Sequence, residues 1–90
     1  MAWNVEFTPA AAAKLNEISS TNARRILKFL HERIANRDDP RSTGKALVGS
    51  EFGGLWRYRV GDYRILCRIE DEKICILIIE IGHRREVYKQ

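Results

Sequence analysis

The stretch LWRYRVGDYRILCR, residues 55–68, constrains the fold more than any other part of the chain. Two runs of strand-forming residues flank Gly61-Asp62, a dipeptide suited to the tight turn of a β-hairpin. A turn of that length pairs Val60 with Tyr63. Antiparallel register then pairs Arg59 with Arg64, Tyr58 with Ile65, Arg57 with Leu66 and Trp56 with Cys67. Side chains alternate between the two faces of a strand. Trp56, Tyr58, Val60, Tyr63, Ile65 and Cys67 therefore share an apolar face, and Arg57, Arg59, Arg64 and Arg68 share the other. Arg59 opposite Arg64 is a like-charge cross-strand pair, which destabilises a sheet unless an anion lies beside it. The nearby acids do not neutralise the patch, because Asp62 is in the turn and Glu70 is at the far strand end. Arginines are also common on solvated sheet faces, but the direct pairing favours an anion-binding face.

The rest of the chain supplies a scaffold for this hairpin. Trp3, Val5 and Phe7 alternate with Asn4, Glu6 and Thr8, which predicts a half-buried first strand. Thr8-Pro9 offers a capping hydroxyl and a proline at the first helical position, so a short helix follows over Ala10 to Ile18. Ser19-Ser20-Thr21-Asn22 ends it and starts a second helix. There Ala23, Ile26, Leu27, Leu30 and Ile34 form one apolar stripe, with Arg24, Arg25, Lys28 and Arg33 elsewhere on the wheel. Asn36 to Gly54 reads as a polar connection in which Lys45, Leu47 and Val48 suggest partial packing. Strands are predicted over Leu55 to Val60, Tyr63 to Ile69 and Lys73 to Ile81, with a turn around Glu70 to Glu72. The expected fold is a single α+β domain over residues 1–90, in the order β-α-α-β-β-β. An antiparallel-dominated, four-stranded sheet carries the two-helix hairpin on one face.

Composition narrows the function. The chain has 90 residues, 44% of them hydrophobic, which suits one modest core. Its net charge of +4 and sequence pI of about 9.4 favour an anionic partner, although mild basicity alone is common. The N-terminus lacks a basic segment followed by an apolar run, and Ile74 to Ile81 is too short to span a bilayer. A cytoplasmic protein without a membrane partner is expected. Cys67 and Cys75 each lie within a predicted strand, at a spacing that fits no zinc motif, so both are expected as reduced packing thiols. Acidic residues are scattered or sit in turns, so neither a metal site nor another cofactor is expected. Gly53-Gly54 is too short for a phosphate-cradling loop.

The tail adds reactive groups. Gly82, expected as a bend at the end of the last strand, is followed by His83, Arg84, Arg85 and Tyr88. Beside an arginine-bearing sheet these are the parts needed to cleave a phosphodiester. Arginines hold phosphate bidentately and stabilise transition-state charge, while histidine or tyrosine moves a proton. Taken singly, His83 reads as a surface histidine and Tyr88 as a packing aromatic; the cluster carries the weight.

The sequence resembles the RelE-type toxins of bacterial toxin–antitoxin pairs, over nearly the whole chain. The likeness rests on the element order, on KALVG at 45–49, LWRYRV at 55–60, GDYRIL at 61–66 and GHRREVY at 82–88. It implies a RelE-like, microbial RNase-like fold. It also implies a ribosome-dependent, metal-independent endoribonuclease that cuts mRNA in the ribosomal A site and inhibits translation. The 2′-hydroxyl attacks the adjacent phosphate, leaving a cyclic phosphate and a free 5′-hydroxyl. Ribosome, mRNA and a RelB-like antitoxin are the implied partners, with the toxin alone monomeric and hetero-oligomeric with its antitoxin. By position, Arg64 would hold the scissile phosphate, Arg84 would stabilise the transition state and Tyr88 would stack on the codon base and assist proton transfer. Arg57 and Arg59 match basic residues of the family's second strand, and Lys45 a basic residue of the preceding loop. Arg68 and Arg85 extend the RNA-binding surface. Some members have lysines where this chain has Arg57 and Arg59. Arginine does not deprotonate, so His83 is a candidate acid or base instead.

Two other readings stand beside this one. The ParE branch shares the fold but acts on DNA gyrase without cutting RNA; it typically lacks the full basic-plus-tyrosine set. The other is an RNA-binding module without catalysis.

Overall fold

A computed structural model describes residues 2–36, 38–47 and 54–83. The elements are β1 (Asn4–Phe7), α1 (Pro9–Glu17), α2 (Ser20–Phe29), β2 (Lys45–Ala46), β3 (Trp56–Val60), β4 (Tyr63–Glu70) and β5 (Cys75–His83). They build one five-stranded sheet in the order β1-β5-β4-β3-β2. β1 joins β5 in parallel, and the remaining pairs are antiparallel. The fold is α+β as expected, with one correction to the strand count. Lys45 and Ala46 pair with Arg57 and Trp56, adding an edge strand inside the polar connection. So short a strand leaves no alternation to read. It forms because Gly44 brings the chain against β3. Gly44 has φ +86°, and a Cβ there would lie 2.6 Å from Trp56 Nε1.

Both helices start on the residues that the sequence marks. Thr8 Oγ1 accepts a hydrogen bond from the Ala11 amide at 3.2 Å, with Pro9 in the first turn. Ser19 caps α2 through the Asn22 amide at 3.3 Å. The chain continues from α2 as a π-helix over Leu30–Ala35, which keeps Leu30, Ile34 and Ala35 buried. The core forms between this helical layer and the apolar sheet face. Ala11, Ile26, Leu30 and Ile34 pack with Tyr58, Ile65, Cys67, Ile76, Ile78 and Ile81.

The last strand departs from expectation in both bounds and register. A 3₁₀ turn occupies Asp71–Lys73, and Ile74 takes a left-handed conformation, φ 49°, so β5 begins at Cys75. It then runs through Gly82 to His83, so the expected bend at Gly82 is absent. Gly82 instead lies opposite Arg64, where it places no side chain beside the guanidinium stem. Between these ends the register slips: Leu66 pairs with Glu80 and Cys67 with Ile78, leaving Ile79 as a bulge. Without the slip, strict alternation from Ile76 and Ile78 would carry Glu80 into the core. With it, Ile81 points inward. Thr8 Oγ1 donates to the carbonyl of Ile79 at 3.0 Å, so the cap of α1 also secures the bulge.

Candidate nucleic-acid interface

The β3–β4 register matches the expected one at every pair from Trp56–Cys67 to Val60–Tyr63. Gly61 takes φ +58° in the turn. Arg57, Arg59, Arg64 and Arg68 therefore share the face opposite the helices. β2 enlarges the cluster, because Lys45 pairs directly with Arg57. Two like-charge pairs, Lys45–Arg57 and Arg59–Arg64, thus lie side by side on adjacent strands. Arg64 occupies the central strand and is only 6% exposed, whereas Arg59 is exposed. Arginine cannot discharge by losing its proton. A phosphate reaching Arg64 would meet its charge at low effective dielectric, where attraction is strongest.

The structure gathers Lys45, Arg57, Arg59 and Arg64 and leaves Arg68 apart. Arg68 lies four positions further along β4, opposite Leu77, so about 13 Å of strand separates it from Arg64. His83 turns the other way. It pairs with Tyr63, and the two rings meet edge to face with centroids 5.9 Å apart. Tyr63 packs against the core, so the His83 ring lies on the helix side, across the sheet from Arg59 and Arg64. Arg84, Arg85 and Tyr88 fall outside the described residues.

The loop that delivers Lys45 is fastened at several points. Tyr58 Oη donates to the Pro40 carbonyl at 2.6 Å, and Trp56 Nε1 donates to the Thr43 carbonyl at 2.7 Å. Burial pushes the Tyr58 phenol well above its ordinary range, so it is a neutral donor here. Arg41 forms a bidentate pair with Asp71, both contacts at 2.9 Å, joining this loop to the β4–β5 turn. The Arg41 hydrogen bond holds the Asp71 carboxyl below the usual carboxylate range. Among the described residues, no three His, Cys, Asp or Glu side chains come together as a metal site. No helix of the described residues is long and apolar enough to cross a membrane.

Sequence reasoning passed over three basic residues that belong near this cluster. In the sequence Arg25, Lys28 and Arg33 are only the polar side of a helix, yet the fold turns them toward the outer edge of β3. The signal for them was a helix surface whose charges are mostly of one sign.

Similarity to known proteins agrees with the geometry. The family described as the ParE toxin of type II toxin–antitoxin systems matches residues 5–88. Toxin RelG of Mycobacterium tuberculosis is 29% identical over 90 residues, covering all of both chains. A chain of the RelBE2 toxin–antitoxin complex from the same organism superposes with a TM-score of 0.83 at 27% identity, covering 96% of this chain and 95% of that one. The isolated Escherichia coli RelE toxin shares the fold, with a TM-score of 0.72 at 24% identity over 97% of this chain and 92% of its own. The chain belongs to the ParE toxin family of the RelE/ParE superfamily, the toxins of type II toxin–antitoxin systems.

Proposed function

We propose that this toxin is a ribosome-dependent endoribonuclease that cuts mRNA in the A site and so inhibits translation in the cytoplasm. The observation that carries the reading is the pair of adjacent like-charge couples, Lys45–Arg57 and Arg59–Arg64, on one sheet face. Such an arrangement costs stability and is relieved by bound phosphates. Arg64 would take the scissile phosphate, with Arg59 beside it, while Arg57 and Lys45 hold neighbouring phosphates, Arg68 lies further along the RNA, and Arg85 is assigned to RNA binding from the sequence alone. The 2′-oxygen attacks phosphorus, the bond to the 5′-oxygen breaks, and a 2′,3′-cyclic phosphate and a 5′-hydroxyl result. No metal is required, because guanidinium groups stabilise the added negative charge; Arg84 is assigned that part. One proton leaves the 2′-hydroxyl and one reaches the departing oxygen. Tyr88 is the stronger candidate for this transfer, because the His83 ring lies across the sheet from Arg64.

A RelB-like antitoxin is the proposed partner, supported by the likeness to toxin chains from RelB–RelE complexes of M. tuberculosis and Pyrococcus horikoshii. The test is primer extension on a defined mRNA with purified protein, with and without programmed ribosomes. Cuts confined to the A-site codon, and only when ribosomes are present, are expected. Arg64→Ala and Arg84→Ala should abolish them while ribosome binding persists. A second reading, action on DNA gyrase, draws on the family's ParE designation. Absence of cuts in both conditions, together with inhibition of gyrase supercoiling, would establish it instead.

A further inference from the structure

Two clefts flank the outer edge of β3, where β2 pairs only with Arg57 and Trp56. One, of 430 Å³, has Arg33, Lys45, Arg57 and Arg59 on its walls. The other, of 280 Å³, has Arg25, Lys28 and Arg33, with Glu32 as its acid. Phe29 and Arg33 line both, so the two clefts adjoin and together make a groove; the Arg33 guanidinium stands 6.0 Å from the Phe29 ring centroid. Arg25 closes the far end. A Cβ built on Gly61 would lie 3.3 Å from both of its Nη atoms, which puts that guanidinium over the β3–β4 turn. Basic residues from a helix and from two strands thus line a groove around the edge of β3, which starts at the Lys45–Arg57–Arg59 cluster and leads away along α2.

A helix bearing lysines and arginines is ordinarily just a solvated face. Here the fold adds two features that such a face does not need: continuity with the strand arginines around the edge of β3 and a shared concave wall. We propose that this groove binds the part of the substrate RNA strand that flanks the cleaved position, with its phosphates on Arg25, Lys28 and Arg33. The inference rests on RNA being the substrate. It commits to the same strand, and not to ribosomal RNA, because Arg57 and Arg59 belong to both the groove and the sheet-face cluster. Nothing in the groove is assigned a step in cleavage.

The probes are 2′-O-methyl RNAs, which cannot be cut by 2′-oxygen attack: a minimal trinucleotide and the same sequence extended on both sides. Affinity is read by competition anisotropy across a salt series. Wild type should gain affinity and a steeper salt dependence on the longer strand. Each phosphate contact on single-stranded nucleic acid contributes about 0.7 to the slope of log K against log salt. Removing three contacts in Arg25→Ala/Lys28→Ala/Arg33→Ala should therefore lower the slope by about 2, roughly fifteenfold less affinity lost from about 50 to about 200 mM salt. Trinucleotide binding should stay unchanged, and Arg25→Lys/Arg33→Lys, with Lys28 kept, should retain the wild-type slope. A triple variant that keeps the full gain on the longer strand overturns the proposal. If it keeps that gain but loses affinity for vacant ribosomes, the groove serves ribosomal RNA; if it loses only an acidic antitoxin peptide, the groove serves a protein. Because this readout needs no cleavage, its failure is separable from failure of the primer-extension test.

Discussion

Arg64 cannot shed its charge, is 6% exposed, and has Arg59 as its direct cross-strand partner. Burying an ion costs several kcal/mol before its contacts repay any of it. A position chosen for stability alone would hold a leucine, as Leu66, the next residue of β4 on the same face and also buried, illustrates. Arg64→Leu is therefore expected to leave the folding free energy unchanged or raise it by about 1 kcal/mol, read by urea unfolding. The same variant should cut ribosome-bound mRNA about 100-fold more slowly or worse, the scale of losing one preorganised charge-stabilising group. Loss of stability with normal cleavage would make Arg64 a structural residue. Arg59 and Arg64 were legible in the sequence because the apolar face of the hairpin fixes register, and register sets the pairing. His83 was not, because its side depends on the bulge at Ile79 and on the extension of β5 through Gly82. Neither leaves a local signature. The one hint was Glu80, which strict alternation would have buried.

Elements that the sequence marked well are those with capping chemistry or long alternation: β1, both helix starts, β3 and β4. β2 was missed because its pairing depends on a close approach at Gly44, a tertiary event. The Thr8 cap shows how far one local signal can reach. Its hydroxyl receives the Ala11 amide and gives its own proton to the carbonyl of Ile79. Thr8→Val keeps the shape and removes both bonds, so it should cost about 1–2 kcal/mol in urea unfolding, more than an isolated exposed cap. A loss no larger than that of Ser19→Ala would deny the link to the bulge. The inner face of β3–β4 makes a second prediction. Burial pushes the Cys67 thiol from 9.0 up to about 12. The folded chain then keeps this proton at pH values where the unfolded chain loses it. The contribution is whole below pH 9 and fades as pH rises toward about 12, with a slope of about 1.4 kcal/mol per pH unit. Cys67→Ala should flatten that alkaline limb, whatever it does to stability at neutral pH.

Among the described residues the charges are partly sorted, although Glu80 lies on the arginine face, opposite Leu66. Sixteen basic residues face twelve acidic ones, and the net charge is +4. Lys45, Arg57, Arg59 and Arg64 lie toward one end of the sheet face, and Arg25, Lys28 and Arg33 line the adjoining groove. Glu6, Glu70 and Asp71 lie at the other end, where β1 meets the start of β5. A folded domain only 31 × 30 × 22 Å in extent then presents a positive pole to a polyanion well before contact. The same pole should draw an antitoxin whose toxin-binding segment is acidic. Association with such an antitoxin should be steered: fast at low salt, and slower by about tenfold or more at high ionic strength, as stopped-flow fluorescence would record. Reversing Arg57 and Arg59 to glutamate should remove most of that salt dependence while leaving an apolar-driven dissociation rate largely intact. Because the steering charges are also the proposed phosphate ligands, the stoichiometric complex should cut A-site mRNA only in proportion to the toxin that dissociates. An antitoxin that binds at a salt-independent rate, or a saturated complex that cuts at the free toxin's rate, would mean that inhibition and substrate binding use different surfaces.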